Sequence, residues 1–113
     1  MNKSLYIHIE RKRHLLSLCD NGRLLYSWPC AVGKKATPTP AGQFRIISKV
    51  ELDSKQVYGS RWMGLDLPRY GIHGTNNPSS IGKDVSLGCI RMHNKDVEKL
   101  FNLVHKGTIV NIT

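Results

Sequence analysis

Alternating apolar and polar positions predict a series of short strands. Leu5, Ile7 and Ile9 are separated by Tyr6 and His8, which is the period-two pattern of a half-buried strand. Further strands are predicted over residues 15–19, 23–28, 44–50, 71–74 and 108–113. The segment over residues 71–74 is expected to carry a histidine on a strand or at its end.

Turn and loop signals separate these strands. Asn21-Gly22 predicts a hairpin turn, because this dipeptide readily takes positive φ. Residues 31–42 contain Pro38 and Pro40 among small and polar residues, which favours a loop.

One helix is predicted near the C-terminus. Asn94 is suited to the N-cap, and Lys106-Gly107 is suited to the C-terminal end. The apolar face of this helix is formed by Val97, Leu100, Phe101 and Val104. Several antiparallel strands, long loops and one helix predict a mostly β fold, and 113 residues suffice for a single domain, residues 1–113.

The chain is basic, with 17 Lys and Arg against eight Asp and Glu, a net charge of +9. A basic domain favours polyanionic partners. The charges are spread along the chain, however, and the densest cluster, residues 10–14, lies in a predicted turn. Aromatic residues, on which nucleic-acid bases stack, are only 7% of the chain, so we expect no nucleic-acid partner. Attraction to an anionic cell wall and a merely solvated surface remain as alternatives.

Neither a membrane span nor a leader is visible in the sequence. No run reaches the roughly 18 apolar residues of a transmembrane helix. Residues 1–11 contain no apolar stretch long enough for a signal peptide. Export by another route, a leader missing from this sequence, and a protein that stays inside the cell are all compatible with this pattern.

The three cysteines form no metal-binding or redox motif. Cys19, Cys30 and Cys89 include no Cys-x-x-Cys pair, and no His/Cys cluster has zinc spacing, so no metal site is predicted. Cys19 and Cys30 are expected to be buried free thiols, with a disulfide between them as the alternative.

The strongest candidate for chemistry is His73 with Cys89, sixteen positions apart. Cysteine attacks as the thiolate, and an imidazole that takes its proton makes it a strong nucleophile at neutral pH. Gly88, directly before the cysteine, leaves room for a substrate and lets backbone N–H groups turn toward a developing oxyanion. A buried, inert cysteine is the alternative for an isolated residue of this type.

Two segments resemble the L,D-transpeptidase catalytic domain family (YkuD-like). Residues 70–78 read YGIHGTNNP and residues 86–94 read SLGCIRMHN, similar to the family's histidine-glycine followed by Ser-x-Gly-Cys-x-Arg. Residues 32–46 and 61–65 are similar to the segments that precede the histidine in that family. The resemblance covers residues 5–113 and implies a β-sandwich-like fold with the main helix against the sheet.

The resemblance also implies residue roles. Cys89 would be the nucleophile, His73 the general base that later protonates the leaving amine, and the main-chain carbonyl of Gly74 the group that orients the imidazole. The N–H groups of Gly88 and Cys89 are the expected oxyanion donors.

Supporting and binding roles are assigned around this pair. Ser86 is expected to hold its loop by hydrogen bonding, and Arg91 to face the thiolate or a substrate carboxylate, with a structural ion pair as the alternative. Tyr70, Trp62 and Met63 are expected to line the substrate groove or to belong to the core.

The activity implied is that of an L,D-transpeptidase acting on peptidoglycan tetrapeptide stems at the cell wall. Cys89 would carry the acyl group, D-alanine would leave, and an amine of a second stem would complete a 3→3 cross-link. No cofactor is implied, and carbapenems would acylate the cysteine. An L,D-carboxypeptidase and a non-catalytic wall-binding module are the alternatives, and the oligomeric state is not predicted.

One position departs from the family pattern, and one motif is rejected. Leu87 stands where many members have histidine, so an auxiliary polar role there is absent.

Gly82-Lys83 resembles part of a phosphate-binding loop, but that loop needs Gly at 77 and Ser or Thr at 84, where the chain has Asn77 and Asp84.

Overall fold

The computed structural model describes residues 4–113, so the first three positions of the predicted domain and of the N-terminal segment lie outside the described residues. The strands are β1 (Leu5–Glu10), β2 (Leu15–Asp20), β3 (Arg23–Pro29), β4 (Val32–Gly33), β5 (Gly42–Glu51), β6 (Arg61–Leu65), β7 (Gly71–His73), β8 (Asp84–Ser86), β9 (Ile90–Arg91) and β10 (Ile109–Ile112). The helix α1 spans Asn94–Leu103, and Pro78–Ser80 form a 3-10 turn.

Eight of these strands form one curled sheet, in the order β3-β2-β1-β10-β5-β6-β7-β9. The remaining two, β4 and β8, form a second, two-stranded sheet. The predicted mostly β architecture with one main helix against the sheet is therefore confirmed.

The period-two pattern places the core as predicted. Ile7 and Ile9 of β1 are fully buried, and Leu16 and Leu18 of the paired strand β2 share that core. Helix α1 adds its own apolar face, because Val97, Leu100 and the following Val104 are also fully buried. Phe101, predicted for the same face, packs at the edge of this cluster.

Strand direction and number differ from the prediction. The pairs β1–β10, β7–β9 and β4–β8 are parallel, although only antiparallel strands were expected. Strands β6, β8 and β9 had no prediction of their own, and β4 lies within residues 31–42, which were predicted to form a loop. Strands β4, β8 and β9 have only two or three residues, too few to display a period.

The start of α1 also differs from the prediction. The N-cap position is His93, and Asn94 is the first helical residue. The side-chain oxygen Oδ1 of Asn94 accepts hydrogen bonds from the backbone N–H groups of Ser60 and Thr75, each at 3.1 Å. Asn94 therefore ties the helix to the segment that follows β7 instead of capping its own helix. The C-terminal end comes earlier than predicted, at Leu103.

The parallel pair β7–β9 positions the site. Ile72 pairs with Ile90, and His73 pairs with Arg91. Cys89 directly precedes β9 and so lies beside Gly71 at the start of β7. On the other side of β9, Ala31 exchanges two backbone hydrogen bonds with Arg91, at 2.8 and 3.0 Å. The sheet thus brings together two segments that are far apart in the sequence.

Candidate active site

Cys89 and His73 line one groove. The groove has a volume of about 850 Å³. Its walls are formed by Val50, Leu52, Gln56, Val57, Tyr58, Trp62, Arg69, Tyr70, His73, Ser86, Leu87, Cys89 and Arg91. Among the residues named for chemistry from the sequence, His73, Ser86, Cys89 and Arg91 line this groove, whereas Gly74 and Gly88 are not lining residues.

The thiol of Cys89 is half-buried and donates a hydrogen bond to the carbonyl oxygen of Arg69 at 3.4 Å. Burial raises the pKa of this thiol, because the thiolate loses hydration. A backbone hydrogen bond from Gly71 and the positive charge of Arg91 act in the opposite direction and lower the pKa. Burial is the largest of the three effects, so the resting group is the neutral thiol.

The imidazole of His73 is almost completely buried, with 3% of its surface exposed. The pKa of His73 is lowered to about 4, chiefly because burial removes hydration from the charged ring. The hydrogen bond to Gly74 acts in the opposite direction and raises the pKa, and the charge of Arg91 makes a smaller contribution that lowers it. The nitrogen Nδ1 donates to the carbonyl oxygen of Gly74 at 2.5 Å. Since Nδ1 then carries the proton of the neutral ring, Nε2 is left as the free base.

Two aromatic rings hold the imidazole in place. The indole of Trp62 stacks on it with ring centroids 5.6 Å apart and an angle of 17° between the planes. The ring of Tyr58 meets it edge-on at 5.1 Å. Tyr58 belongs to the segment between β5 and β6, which gave no signal of a functional role in the sequence.

Within residues 4–113 no hydrogen bond joins the thiol of Cys89 to the imidazole of His73. Each group bonds to a main-chain carbonyl instead. The thiol proton must leave the carbonyl of Arg69 before it can pass to Nε2. Catalytic hydrogen bonds that are long or unformed in a free enzyme often form only with substrate.

The loop around the cysteine is held by Ser86. The hydroxyl of Ser86 donates to the carbonyl oxygen of Cys89 at 2.7 Å and accepts from the N–H of Gly88 at 3.0 Å. Gly88 has φ +126°, and a Cβ there would lie 2.6 Å from Cε1 of Tyr70, so only glycine fits. Because the N–H of Gly88 is already engaged, it is not available as the oxyanion donor expected from the sequence.

Arginines supply the charge of the groove. Nε of Arg91 is buried and has no hydrogen-bond partner within residues 4–113.

Arg69 also lines the groove, although nothing in the sequence pointed to it. It follows Pro68 in a turn closed by the bond from the N–H of Tyr70 to the carbonyl of Leu67 at 3.1 Å, and it has φ +76°. Glycine or asparagine usually occupies such a position, so the proline predicts a turn but not an arginine there.

The three residues assigned to substrate binding separate into two groups. Tyr70 and Trp62 line the groove. Met63 is fully buried in the hydrophobic core and lies outside the groove, so its assignment to substrate binding is corrected. The cause is the alternation of β6, which turns Trp62 and Met63 to opposite faces of the sheet.

Leu87 lies at the mouth of the groove with 76% of its surface exposed. No packing constraint therefore requires leucine there, and the apolar side chain is available to a bound molecule.

The remaining cysteines do not line the groove. Cys19 and Cys30 are free and buried, as predicted. Burial raises the pKa of Cys30 to about 12, so that thiol is inert.

A second cavity, of about 1000 Å³, lies on the far side of residues 73–76. Its lining includes Trp28, Lys55 and the start of α1, but no cysteine.

In the described part of the chain, no three His, Cys, Asp or Glu side chains come together as a metal site would require. No helix within residues 4–113 has the length and apolar character needed to cross a membrane.

Sequence comparisons relate this chain to one family. A model of the L,D-transpeptidase catalytic domain (YkuD) matches residues 4–112. The YkuD protein of Bacillus licheniformis is 51% identical over 107 residues, which cover 95% of this chain and 64% of that protein. The YkuD protein of Bacillus subtilis is 52% identical over 97 residues, covering 86% of this chain and 58% of that protein. The chain therefore spans less than two thirds of the length of either relative.

Structural comparison gives the same result. The catalytic domain of an L,D-transpeptidase from Enterococcus faecium has a TM-score of 0.82 at 26% identity, and the match covers 98% of both chains. A structure described as the Ldtfm-avibactam carbamoyl enzyme has a TM-score of 0.84 at 27% identity, covering 97% of this chain and 49% of that one.

Proposed function

Because the chain belongs to the L,D-transpeptidase catalytic domain (YkuD) family, we propose that it transfers acyl groups between peptidoglycan stem peptides at the cell wall, with Cys89 as nucleophile. The observation that carries the proposal is the groove that Cys89 and His73 both line, with Nε2 of His73 left as the free base. The substrate is a tetrapeptide stem, cleaved between its diamino acid and the terminal D-alanine. No cofactor takes part in the proposed reaction.

Acylation begins with proton transfer from the thiol to Nε2 of His73, as the sulfur turns away from the carbonyl of Arg69. The sulfur attacks the peptide carbonyl, and its electron pair forms the S–C bond while the carbonyl oxygen becomes an oxyanion. Collapse of this intermediate breaks the C–N bond. The imidazolium returns the proton to the departing amine of D-alanine, and the stem remains on Cys89 as a thioester.

Deacylation repeats these steps with an amine as the attacking group. A side-chain amine of a second stem attacks the thioester and forms the 3→3 cross-link. His73 takes the proton from that amine and delivers it to the departing sulfur, which restores the thiol. Water in place of the amine would give the L,D-carboxypeptidase reaction, and the products distinguish the two.

Charge in the groove supports an anionic peptide as substrate. Arg69 and Arg91 line the groove, and no acidic side chain lies among its lining residues. The stem ends in a free carboxylate on D-alanine, which a guanidinium binds well. In this proposal Trp62 and Tyr70 form the walls along which the stem lies, and Leu87 contacts its aliphatic part.

The nucleophile is tested by replacing each cysteine separately. Cys89→Ala is expected to reduce release of D-alanine from a disaccharide-tetrapeptide to background, a loss of at least about 1000-fold, because no other thiol faces the groove. Cys19→Ala is the matched control and should keep the activity. Equal release by both variants would refute the assignment. Mass analysis of the products separates a cross-linked dimer from a free tripeptide stem.

Acylation by a carbapenem distinguishes an enzyme from a non-catalytic wall-binding module. A structural neighbour described as an avibactam carbamoyl enzyme supports the expectation that a protein of this fold is acylated by an inhibitor of this kind. After exposure to a carbapenem, intact mass is expected to increase by one adduct, and peptide mapping should place it on Cys89. An unmodified mass would favour the binding module.

A further inference from the structure

We propose that Thr39 is a positioning residue that aims the backbone N–H of Cys89 at the oxyanion. Thr39 lies in the segment between β4 and β5, 49 positions before Gly88, and is 2% exposed. It does not line the groove and touches neither the thiol nor the imidazole. The inference rests on the proposed nucleophile, Cys89, but not on the identity of the wall peptide.

The hydroxyl of Thr39 links two backbone groups. It accepts a hydrogen bond from the N–H of Gly33 at 2.9 Å and donates one to the carbonyl oxygen of Gly88 at 2.8 Å. These roles are unambiguous, because an N–H can only donate and a carbonyl can only accept. The bond from Gly33 polarises the hydroxyl and strengthens its bond to Gly88. All three groups are buried.

This bond determines the direction of the next N–H. The carbonyl of Gly88 and the N–H of Cys89 belong to one peptide unit, which is planar and trans, so they point in opposite directions. Thr39 holds the carbonyl toward the buried side of the loop. The N–H of Cys89 is thereby turned away from that buried side, and Cys89 is a lining residue of the groove.

Two other polar backbone groups next to this N–H are already engaged. The N–H of Gly88 and the carbonyl of Cys89 both bond to the hydroxyl of Ser86. Within residues 4–113, the N–H of Cys89 has no hydrogen-bond partner. A donor held in place before the reaction stabilises a developing oxyanion without reorganisation, which is the main requirement of an oxyanion hole.

A purely structural role for Thr39 predicts a different outcome, and two small reagents separate the two roles. Acylation by p-nitrophenyl acetate passes through an oxyanion, whereas alkylation by iodoacetamide needs only the thiolate. Loss of the oxyanion donor should slow the ester reaction alone. A distorted loop would alter both reactions, because the position and pKa of the thiol would change.

Thr39→Val keeps the shape of the side chain and removes the hydroxyl. We expect the rate of ester acylation at Cys89 to fall about 10- to 100-fold, and the rate of alkylation to stay within about twofold of wild type. Thr39→Ser, which restores the hydroxyl, should recover the ester rate to within about threefold. A parallel fall in both reactions, or no fall in either, would overturn the proposal.

Thr37→Val is the matched control. The hydroxyl of Thr37 donates to the carbonyl of Ser86 at 3.0 Å, so it supports the same loop without touching the peptide unit of Cys89. Its ratio of ester to alkylation rates should equal that of wild type, and a lowered ratio would count against the proposal. If Thr39→Val does not fold, Thr39→Ala compared with Thr39→Ser makes the same test.

Failure of the proposed function has a separate signature. If Cys89 is not the nucleophile, the wild-type protein carries no acetyl group on that residue after exposure to the ester. If Cys89 is acetylated but the ratio does not respond to Thr39→Val, only the role of Thr39 is refuted.

Discussion

The environment of His73 determines when it can act as a base. Its ring is buried between Trp62 and Tyr58, and its Nδ1 is held by the carbonyl of Gly74. Burial lowers its pKa to about 4 and raises the pKa of Cys89, so both groups are uncharged at neutral pH. The resting pair is therefore a neutral thiol and a neutral imidazole, not a thiolate–imidazolium ion pair.

This arrangement predicts the pH dependence of acylation. His73 accepts a proton only when it is neutral, so the rate should be lost as pH falls through its pKa of about 4, and it should be retained at about pH 6. The measurement is kcat/KM for D-alanine release across the acid range, with circular dichroism at each pH to establish that the protein is folded. An acid limb centred near 6.5, the ordinary pKa of histidine, would contradict the assignment.

The neutral state of the Cys89 thiol also predicts how its alkylation rate changes at alkaline pH. Alkylation by iodoacetamide should rise steadily with pH above neutrality, because the raised pKa of Cys89 leaves the thiolate a minor species at pH 7 and its fraction grows as the pH approaches that pKa. A rate that is already constant at neutral pH would indicate a preformed ion pair.

Among the elements, helix α1 supports the site through its first residue. Oδ1 of Asn94 accepts from the N–H groups of Ser60 and Thr75, which flank β6 and β7 on the side of the histidine. The same oxygen lies close to Gly74, whose carbonyl holds the imidazole. The helix thus stabilises the segment that orients His73.

Replacing Asn94 tests this connection. Asn94→Ala leaves two partly buried N–H groups without an acceptor, so we expect the free energy of unfolding to fall by about 1–3 kcal/mol and D-alanine release to fall with it. Urea unfolding and the release assay measure the two effects. Asn94→Asp keeps the accepting oxygen and serves as the control. If the alanine variant were as stable and active as wild type, the helix would have no part in positioning the histidine.

Element prediction succeeded where the chain has a clear period. Strands β1, β2 and β3 were predicted to within one residue at each end, because β1 alternates clearly and predicted turns separate β1 from β2 and β2 from β3. β9 has only two residues, and its pairing with β7 depends on a contact between distant segments. The parallel direction of that pair depends on how the connecting segments cross the sheet, which local periodicity does not encode.

At the scale of the whole molecule, the net charge of +9 suits an anionic polymer. We expect adsorption to intact, anionic cell walls to weaken as NaCl rises from about 50 to 300 mM, since salt screens exposed charges over about 10 Å or less. Release of D-alanine from a small soluble stem should change by less than about twofold. Co-sedimentation with purified walls measures the first quantity. Adsorption that does not respond to salt would refute the claim that the net positive charge attracts the protein to the wall.

The sequence by itself determined the chemical groups and the class of fold. The Ser-x-Gly-Cys-x-Arg motif and the upstream histidine are local patterns of side-chain types, and alternation along a strand reports which side is buried. Both are properties of neighbouring residues, so they can be read without coordinates.

The tertiary structure alone decided how these groups are used. It placed Met63 in the core and Arg69 in the groove, and it joined Thr39 to Gly88 across 49 positions. The low pKa of His73 likewise arises from burial by distant segments. Hydration and long-range hydrogen bonding depend on what surrounds a group in space, so the state of the thiol–imidazole pair and the free N–H of Cys89 follow only from the folded chain.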